Sequence, residues 1–350
     1  MLIVNLQRQG KKFDSFGIEN MKKRAYITHV TSDYLAVARN LARSLQAFSE
    51  LPLIIFVLNL DEEKRIFFDG LPNVLLRNID LELEDSSSED YVFNSSGNFY
   101  VSRKSDRIYK ILCAKTIALE MALSEGFEEI CYLDSDCIAT PIVDELFNWI
   151  PIVTDYPVCT EGIHQYMIVI EPDGFERGNP FEGCWPETDV KKTLEWPLMN
   201  FLQMPEGSRG TYRTTGIMLA NSNCLPFIKI WKEICFLLPK LNVDLYHYAA
   251  FHEETLYNVL SWKKTNAGFP LCYVNLREGF DTVKHFYEEG QPGFSTYMTE
   301  ENKDYTLNFY SIPADKRNIK VLHGEKREDE SKKIIDYLSD LNSVGFFKNF

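Results

Sequence analysis

Residues 128–140 read EEICYLDSDCIAT, and the reading of this stretch decides the rest of the chain. Ile130, Cys131, Tyr132 and Leu133 form a short apolar run of the kind a strand buried on both faces requires. That run leads directly into Asp134 and Asp136, and Pro141 closes the segment. In an extended segment, residues two apart share a face, so the strand reading sends both carboxylates to one side. Two carboxylates so placed can hold one cation or one diphosphate-metal complex, and hard oxygen ligands suit Mg²⁺ or Mn²⁺. A D-x-D triplet also occurs in ordinary solvated turns; its weight here comes from its place at the end of an apolar strand.

Upstream, YKILCAKTIALEMALSEG (109–126) has helix-forming composition and ends on a glycine suited to a helix C-terminus. RAYITHV (24–30) reads as a strand, DYLAVARNLARSLQAF as the amphipathic helix after it, and LPLIIFVLNL (51–60) as the next buried strand. Strand, helix and strand in that order predict an α/β fold, Rossmann-like, with a mostly parallel central sheet flanked by helices. Nucleotides bind such sheets at the carboxyl ends of the strands. Residues 81–107 are rich in Ser, Asp and Asn and read as an excursion, and 161–210 read as loop-rich with many Gly, Pro and aromatic residues. TTGIMLANS (214–222) is a strand, PFIKIWKEICFLL and HEETLYNVLSWKK are helices, and NIKVLHGEKRED is a late strand ending in a His-Gly turn.

Composition sets bounds on function. A chain of 350 residues that is 45% hydrophobic can bury a full core. A formal net charge of -14 argues against a sequence-independent nucleic-acid binder, which needs a field that attracts phosphate. The eight cysteines contain no C-x-x-C pair and mostly sit among apolar neighbours, so they read as reduced and structural. The first residues carry too short an apolar stretch for a signal peptide, and no later run reaches the roughly 18 apolar residues of a spanning helix. The expectation is a cytoplasmic protein without a transmembrane segment, with peripheral docking at a membrane left open.

Four segments, taken in order, resemble the GT-A nucleotide-sugar glycosyltransferases, and among them the family 8 galactosyltransferase and glycogenin-like group. AYITHVTSDYLAVARNLARSL is similar to the unit that binds the donor base, with Thr28 on its strand. CAKTIALEMALSEGFEEICYLDSD is similar to the helix, strand and D-x-D of those enzymes, including a lysine, here Lys115, ahead of the first Asp. TTGIMLANS resembles the strand beside the donor sugar, which places Thr215 and Gly216 there. EETLYNVL is similar to the acidic helix start near the reaction centre, and VLHGEK to the His-Gly segment with a further metal ligand and a phosphate-binding lysine.

The resemblance implies a GT-A fold forming one large domain with two subregions: a leader at 1–23, a donor-binding part at 24–160, a loop-rich acceptor region at 161–213 and a catalytic part at 214–350. It implies that Asp134, Asp136 and His323 bind Mn²⁺ or Mg²⁺. Thr28, Lys115, Asp134, Thr215, Gly216, Gly324 and Lys326 would hold the donor, and Glu253 and Glu254 would serve catalysis. The donor would be a UDP-sugar, the acceptor a hydroxyl of a glycan, glycolipid or glycoprotein, and the configuration retained. The family's pattern has one more residue between the glycine and the lysine than Gly324 and Lys326 leave here.

Each residue also has a plainer reading. Lys110 and Lys115 fall on different faces of one helix, so one at most reaches the site while the other faces solvent. Glu253 and Glu254 open a helix, where negative charge is favourable on electrostatic grounds alone. Lys326 and Arg327 belong to a KRED run that reads as a solvated face. Trp185 and Trp196 are the aromatic residues best placed for stacking on sugar, although most aromatic residues serve the core. Two rival functions remain. A sugar-nucleotide nucleotidyltransferase calls for a Gly-rich basic loop after the first strand, and HVTSDYLAVARN has no glycine. A non-catalytic carbohydrate-binding protein of the same fold has no need of Asp134, Asp136, His323 and Glu253, all of which are intact here.

Overall fold

The computed structural model describes residues 23–83, 106–153, 158–160, 168–171, 174–177, 196–209, 215–241, 253–263, 283–285, 320–323, 328–345 and 347. Residues 1–22 of the 1–23 leader, most of the 81–107 excursion, and Trp185, Gly324, Lys326 and Arg327 lie outside the described residues.

The chain opens with β1 (Arg24–Thr31), a 3-10 turn at 32–34, α1 (Leu35–Phe48), β2 (Leu53–Leu58) and β3 (Val74–Ile79). It continues with α2 (Asp106–Ser124), β4 (Glu129–Leu133) and β5 (Cys137–Ala139), then β6 (Val158–Thr160), β7 (Ile168–Glu171) and β8 (Gly174–Arg177). After these come α3 (Trp196–Phe201), β9 (Ile217–Asn221), α4 (Leu225–Leu241), α5 (Glu253–Trp262), β10 (Val283–His285), β11 (Val321–His323) and α6 (Glu328–Ser343).

A six-stranded sheet runs in the order β3-β2-β1-β4-β9-β6. β3, β2, β1 and β4 are parallel, whereas β9 and β6 are antiparallel to their neighbours. Alternation along the strands supplies both faces with apolar side chains, as a sheet covered on two sides demands. Ala25 and Ile27 of β1, with Ile130 and Tyr132 of β4, pack into one cluster with residues of α2, α4 and α5. Tyr26 and Val30, with Cys131 and Leu133, pack into the other beneath Leu35, Leu41 and Leu45 of α1. The expected α/β class therefore holds, with its mostly parallel sheet between helices. Cys113, Cys131, Cys137, Cys224 and Cys235 are buried free thiols. No helix among the described residues is long and apolar enough to cross a membrane.

Two features depart from the sequence reading. The D-x-D is not extended: residues 135 and 136 turn, and the Cys137 N–H donates to the Asp134 carbonyl at 3.1 Å. The chain leaves the large sheet there and enters a second one, of order β10-β11-β5, so a change of sheet sets the directions of the two carboxylates and strand alternation does not. A helix that the sequence reading does not give, α6, begins at Glu328, with Glu328 and Asp329 exposed. Ile334, Tyr337 and Leu338 of that helix, at helical spacing, pack on Ile138 and Leu322.

The approach to the D-x-D is set by the end of α2. Gly126 has φ +87, its N–H donates to the Leu123 carbonyl at 3.2 Å, and the Phe127 N–H donates to the Ala122 carbonyl at 3.4 Å. This paired closure of a helix C-terminus needs a left-handed residue. A Cβ added at Gly126 would meet nothing within 4 Å, so the cost of substitution is conformational alone. Gly126→Ala is expected to destabilise by about 1 to 2 kcal/mol, read from the midpoint of urea unfolding at unchanged slope.

Candidate active site

Asp134 follows β4 at the carboxyl end of the parallel strands, and three other segments close on it. The Asp134 N–H donates to the Gly216 carbonyl at 2.8 Å, which ties the residues before β9 to the turn. β11 pairs antiparallel with β5 and sets His323 opposite Cys137. His323 Nε2 thereby lies 3.5 Å from Asp134 Oδ2 and 3.2 Å from Asp136 Oδ1. Cys137, fully buried, completes a group with Asp136 and His323 in which one ligand atom from each lies within 4.8 Å of the others. Two carboxylate oxygens facing one imidazole nitrogen form a donor set that fits Mn²⁺ or Mg²⁺, so the residues present suit the cation that the D-x-D implies.

Behind Asp134 lies a buried polar knot. Lys115, from α2, is 3% exposed. Its Nζ donates to the Thr215 carbonyl and to Thr215 Oγ1, both at 3.0 Å, and pairs with Glu253 Oε1 at 3.0 Å and Asp134 Oδ1 at 3.5 Å. Burial alone would lower the affinity of this amine for its proton, but Asp134, Glu253 and Glu254 outweigh it and hold Lys115 firmly charged. Burial would likewise raise Asp134; Lys115 and the hydrogen bonds from His323 and Tyr132 prevail, and its carboxyl stays well below the usual range. Glu253 goes the other way, since burial raises it despite Lys115.

The two glutamates at the start of α5 differ in their contacts. Glu254 Oε2 accepts the Thr215 N–H at 2.9 Å and so grips the backbone beside Gly216. Glu253 gives one oxygen to Lys115, and its Oε2 is buried without a hydrogen-bond partner among the described residues. Trp231 of α4 anchors the helix start by donating Nε1–H to the Glu253 carbonyl at 2.8 Å. An unpaired buried carboxylate oxygen is costly and is expected where a ligand or a proton completes it.

The structure therefore gathers Lys115, Asp134, Asp136, Thr215, Gly216, Glu253, Glu254 and His323 at one place. Thr28 does not join them. It is fully buried and, by alternation with Ile27 and His29, turns toward the face that packs under α1. Lys110 binds the Glu82 carbonyl at 3.0 Å, and Trp196 packs against the core. Two residues that sequence reasoning passed over belong to the group: His29, buried in β1, and Tyr132, whose hydroxyl donates to Asp134 Oδ1 at 2.9 Å. A histidine inside an apolar strand and a tyrosine two residues before a ligand candidate were the available signals.

No protein-family model matches the chain, and no curated protein matches it. Solved structures similar to it include a bifunctional glycosyltransferase, WbbM, in its apo form. That structure is 13% identical with a TM-score of 0.49, and the likeness covers 93% of this chain and 50% of that one. The chain thus spans half the length of WbbM. The galactosyltransferase LgtC in complex with donor and acceptor sugar analogues is 16% identical over 91% of this chain and 95% of its own, with a TM-score of 0.43. Mouse xyloside xylosyltransferase 1, also apo, is 12% identical over 86% of this chain and 97% of its own, with a TM-score of 0.46.

Proposed function

We propose that this chain is a metal-dependent glycosyltransferase of the GT-A type. It would move a sugar from a nucleotide diphosphate sugar, UDP-linked, to a hydroxyl of a glycan, glycolipid or glycoprotein with retention of configuration. The observation that carries this reading is the meeting of Asp134 Oδ2, Asp136 Oδ1 and His323 Nε2 at the carboxyl end of a mostly parallel sheet, beside a buried glutamate.

Asp134, Asp136 and His323 would hold Mn²⁺ or Mg²⁺, which when bound supplies positive charge to the departing diphosphate. Gly216, without a side chain, lets a sugar ring approach the backbone beside Asp134. Glu253, raised by burial, can orient an acceptor hydroxyl or take its proton through Oε2. Glu254 keeps the Thr215–Gly216 backbone in place, and Lys115 holds Glu253 and Asp134 in one arrangement. Positioning and fixed charge carry most of the rate in such a scheme. Gly324 and Lys326 are assigned to the diphosphate on the resemblance alone.

The test is thermal stabilisation by UDP, GDP, ADP and CMP, each with and without Mn²⁺. A ligand that binds only the native state at a hundredfold excess over its Kd adds about 2.7 kcal/mol, which moves the melting temperature by several degrees. The expected result is a shift with UDP that requires Mn²⁺. No shift with any nucleotide would remove the donor from the reading and favour a carbohydrate-binding protein of the same fold.

A further inference from the structure

We propose that His29 and Tyr132 are positioning residues of the cation site: together they bind one carboxylate oxygen of Asp134 to the protein interior and leave the other turned toward His323 and Asp136. The inference rests on the reading of Asp134, Asp136 and His323 as cation ligands.

The two oxygens of Asp134 have different surroundings. Oδ1 takes the Tyr132 hydroxyl at 2.9 Å and faces Lys115 Nζ at 3.5 Å. Oδ2 is the atom 3.5 Å from His323 Nε2. Tyr132 is itself held. Its oxygen lies 2.9 Å from His29 Nδ1, and His29 Nε2 lies 3.0 Å from the Ile111 carbonyl on α2. Lys115 Nζ sits 4.8 Å from the centre of the Tyr132 ring. A continuous chain of contacts thus runs from the backbone of α2 through β1 and β4 to the carboxylate.

Strand register builds this chain. Ile27 pairs with Tyr132 across β1 and β4, so their side chains share a face, and His29 follows on that face two residues further along β1. Tyr132 and His29 are both buried, so neither ring can swing away into solvent. Burial, with Lys115 adding to it, lowers His29 to about 4 and keeps the ring neutral. The single hydroxyl proton of Tyr132 goes to Asp134 Oδ1, and the His29 ring, held at Ile111, packs against the Tyr132 oxygen from the other side. A ligating carboxylate whose second oxygen is hydrogen-bonded loses orientational freedom, and removing such partners typically costs 10- to 100-fold in metal affinity.

The test uses the full chain and measures Mn²⁺ uptake directly, from the loss of the free-ion electron paramagnetic resonance signal, together with the melting temperature in metal-free buffer. Tyr132→Phe keeps the ring and removes only the hydroxyl. It is expected to weaken Mn²⁺ binding about tenfold. His29→Phe is expected to weaken it less, because Tyr132 retains its own contact with Asp134, and to add nothing once Tyr132 is Phe. If Tyr132→Phe lowers the melting temperature while Mn²⁺ binds as tightly as before, the residues only fill the core and the proposal is overturned. Additive losses in the double variant would overturn the assignment of His29. Should either Phe variant fail to fold, His29→Gln is measured in the same way, and unchanged Mn²⁺ affinity there has the same meaning. A parent chain that takes up no Mn²⁺ would overturn the cation-site reading itself, and that failure is distinct because it appears before any substitution.

Discussion

Asp136→Ala is expected to lower Mn²⁺-dependent turnover by about 10²- to 10³-fold, the range seen when one element of transition-state charge stabilisation is removed. The acceptor is not needed for the measurement, because slow hydrolysis of a UDP-sugar reports the same departure of the diphosphate. Asp136 contributes Oδ1 to the group around His323 and its side chain is 19% exposed, so its removal uncovers no deeply buried charge. The turn survives because a backbone bond closes it, from the Cys137 N–H to the Asp134 carbonyl. The melting temperature in metal-free buffer should therefore stay within a few degrees of the parent. Asp136→Asn, which keeps an oxygen but not its charge, should fall between the two. Full turnover in Asp136→Ala would sink the cation assignment, whereas loss of turnover with a large drop in melting temperature would move Asp136 to a structural role.

The contrast between Asp134 and its surroundings marks what could be read from sequence. The apolar run of Ile130 to Leu133 before a D-x-D was legible because strand burial leaves a one-dimensional signature. The direction of the carboxylates was not, because it depends on the chain leaving one sheet for another at residues 135 and 136, and on His323 arriving from β11 to pair with Cys137. Helical spacing separated Lys110 from Lys115, since five residues along a helix cannot share a face. It could not place Thr215, Glu253 and Glu254 around the Lys115 amine, because that knot joins three segments whose meeting is a property of packing. The same holds for His29 and Tyr132, which are adjacent only through the register of β1 against β4. α6 was legible and was missed. Ile334, Tyr337 and Leu338 carry a helical period that the sequence reading, which ends at the KRED run, does not use.

Lys115→Met is expected to destabilise the protein by about 3 to 5 kcal/mol, the usual cost of removing one partner from a buried ion pair. The reason lies in what stays behind. Glu253 Oε1 would lose its cation while the residue remains 4% exposed, and Asp134 Oδ1 would keep only the Tyr132 hydroxyl on its interior side. The midpoint of urea unfolding gives the magnitude, and its pH dependence gives the cause. Burial already raises Glu253 above its ordinary value against the pull of Lys115, and without that pull it rises further. A carboxyl whose folded value exceeds its unfolded value binds more protons when folded, so it gains stability as pH falls toward the unfolded value. The penalty of Lys115→Met should thus be larger near about pH 8 than near about pH 5.5. Adding Glu253→Gln to Lys115→Met removes the orphaned charge and should restore part of the lost stability, although Glu253→Gln alone is expected to reduce turnover. If Lys115 instead served only to grip the donor diphosphate, Lys115→Met would raise KM with no change in unfolding, and Glu253→Gln would recover nothing.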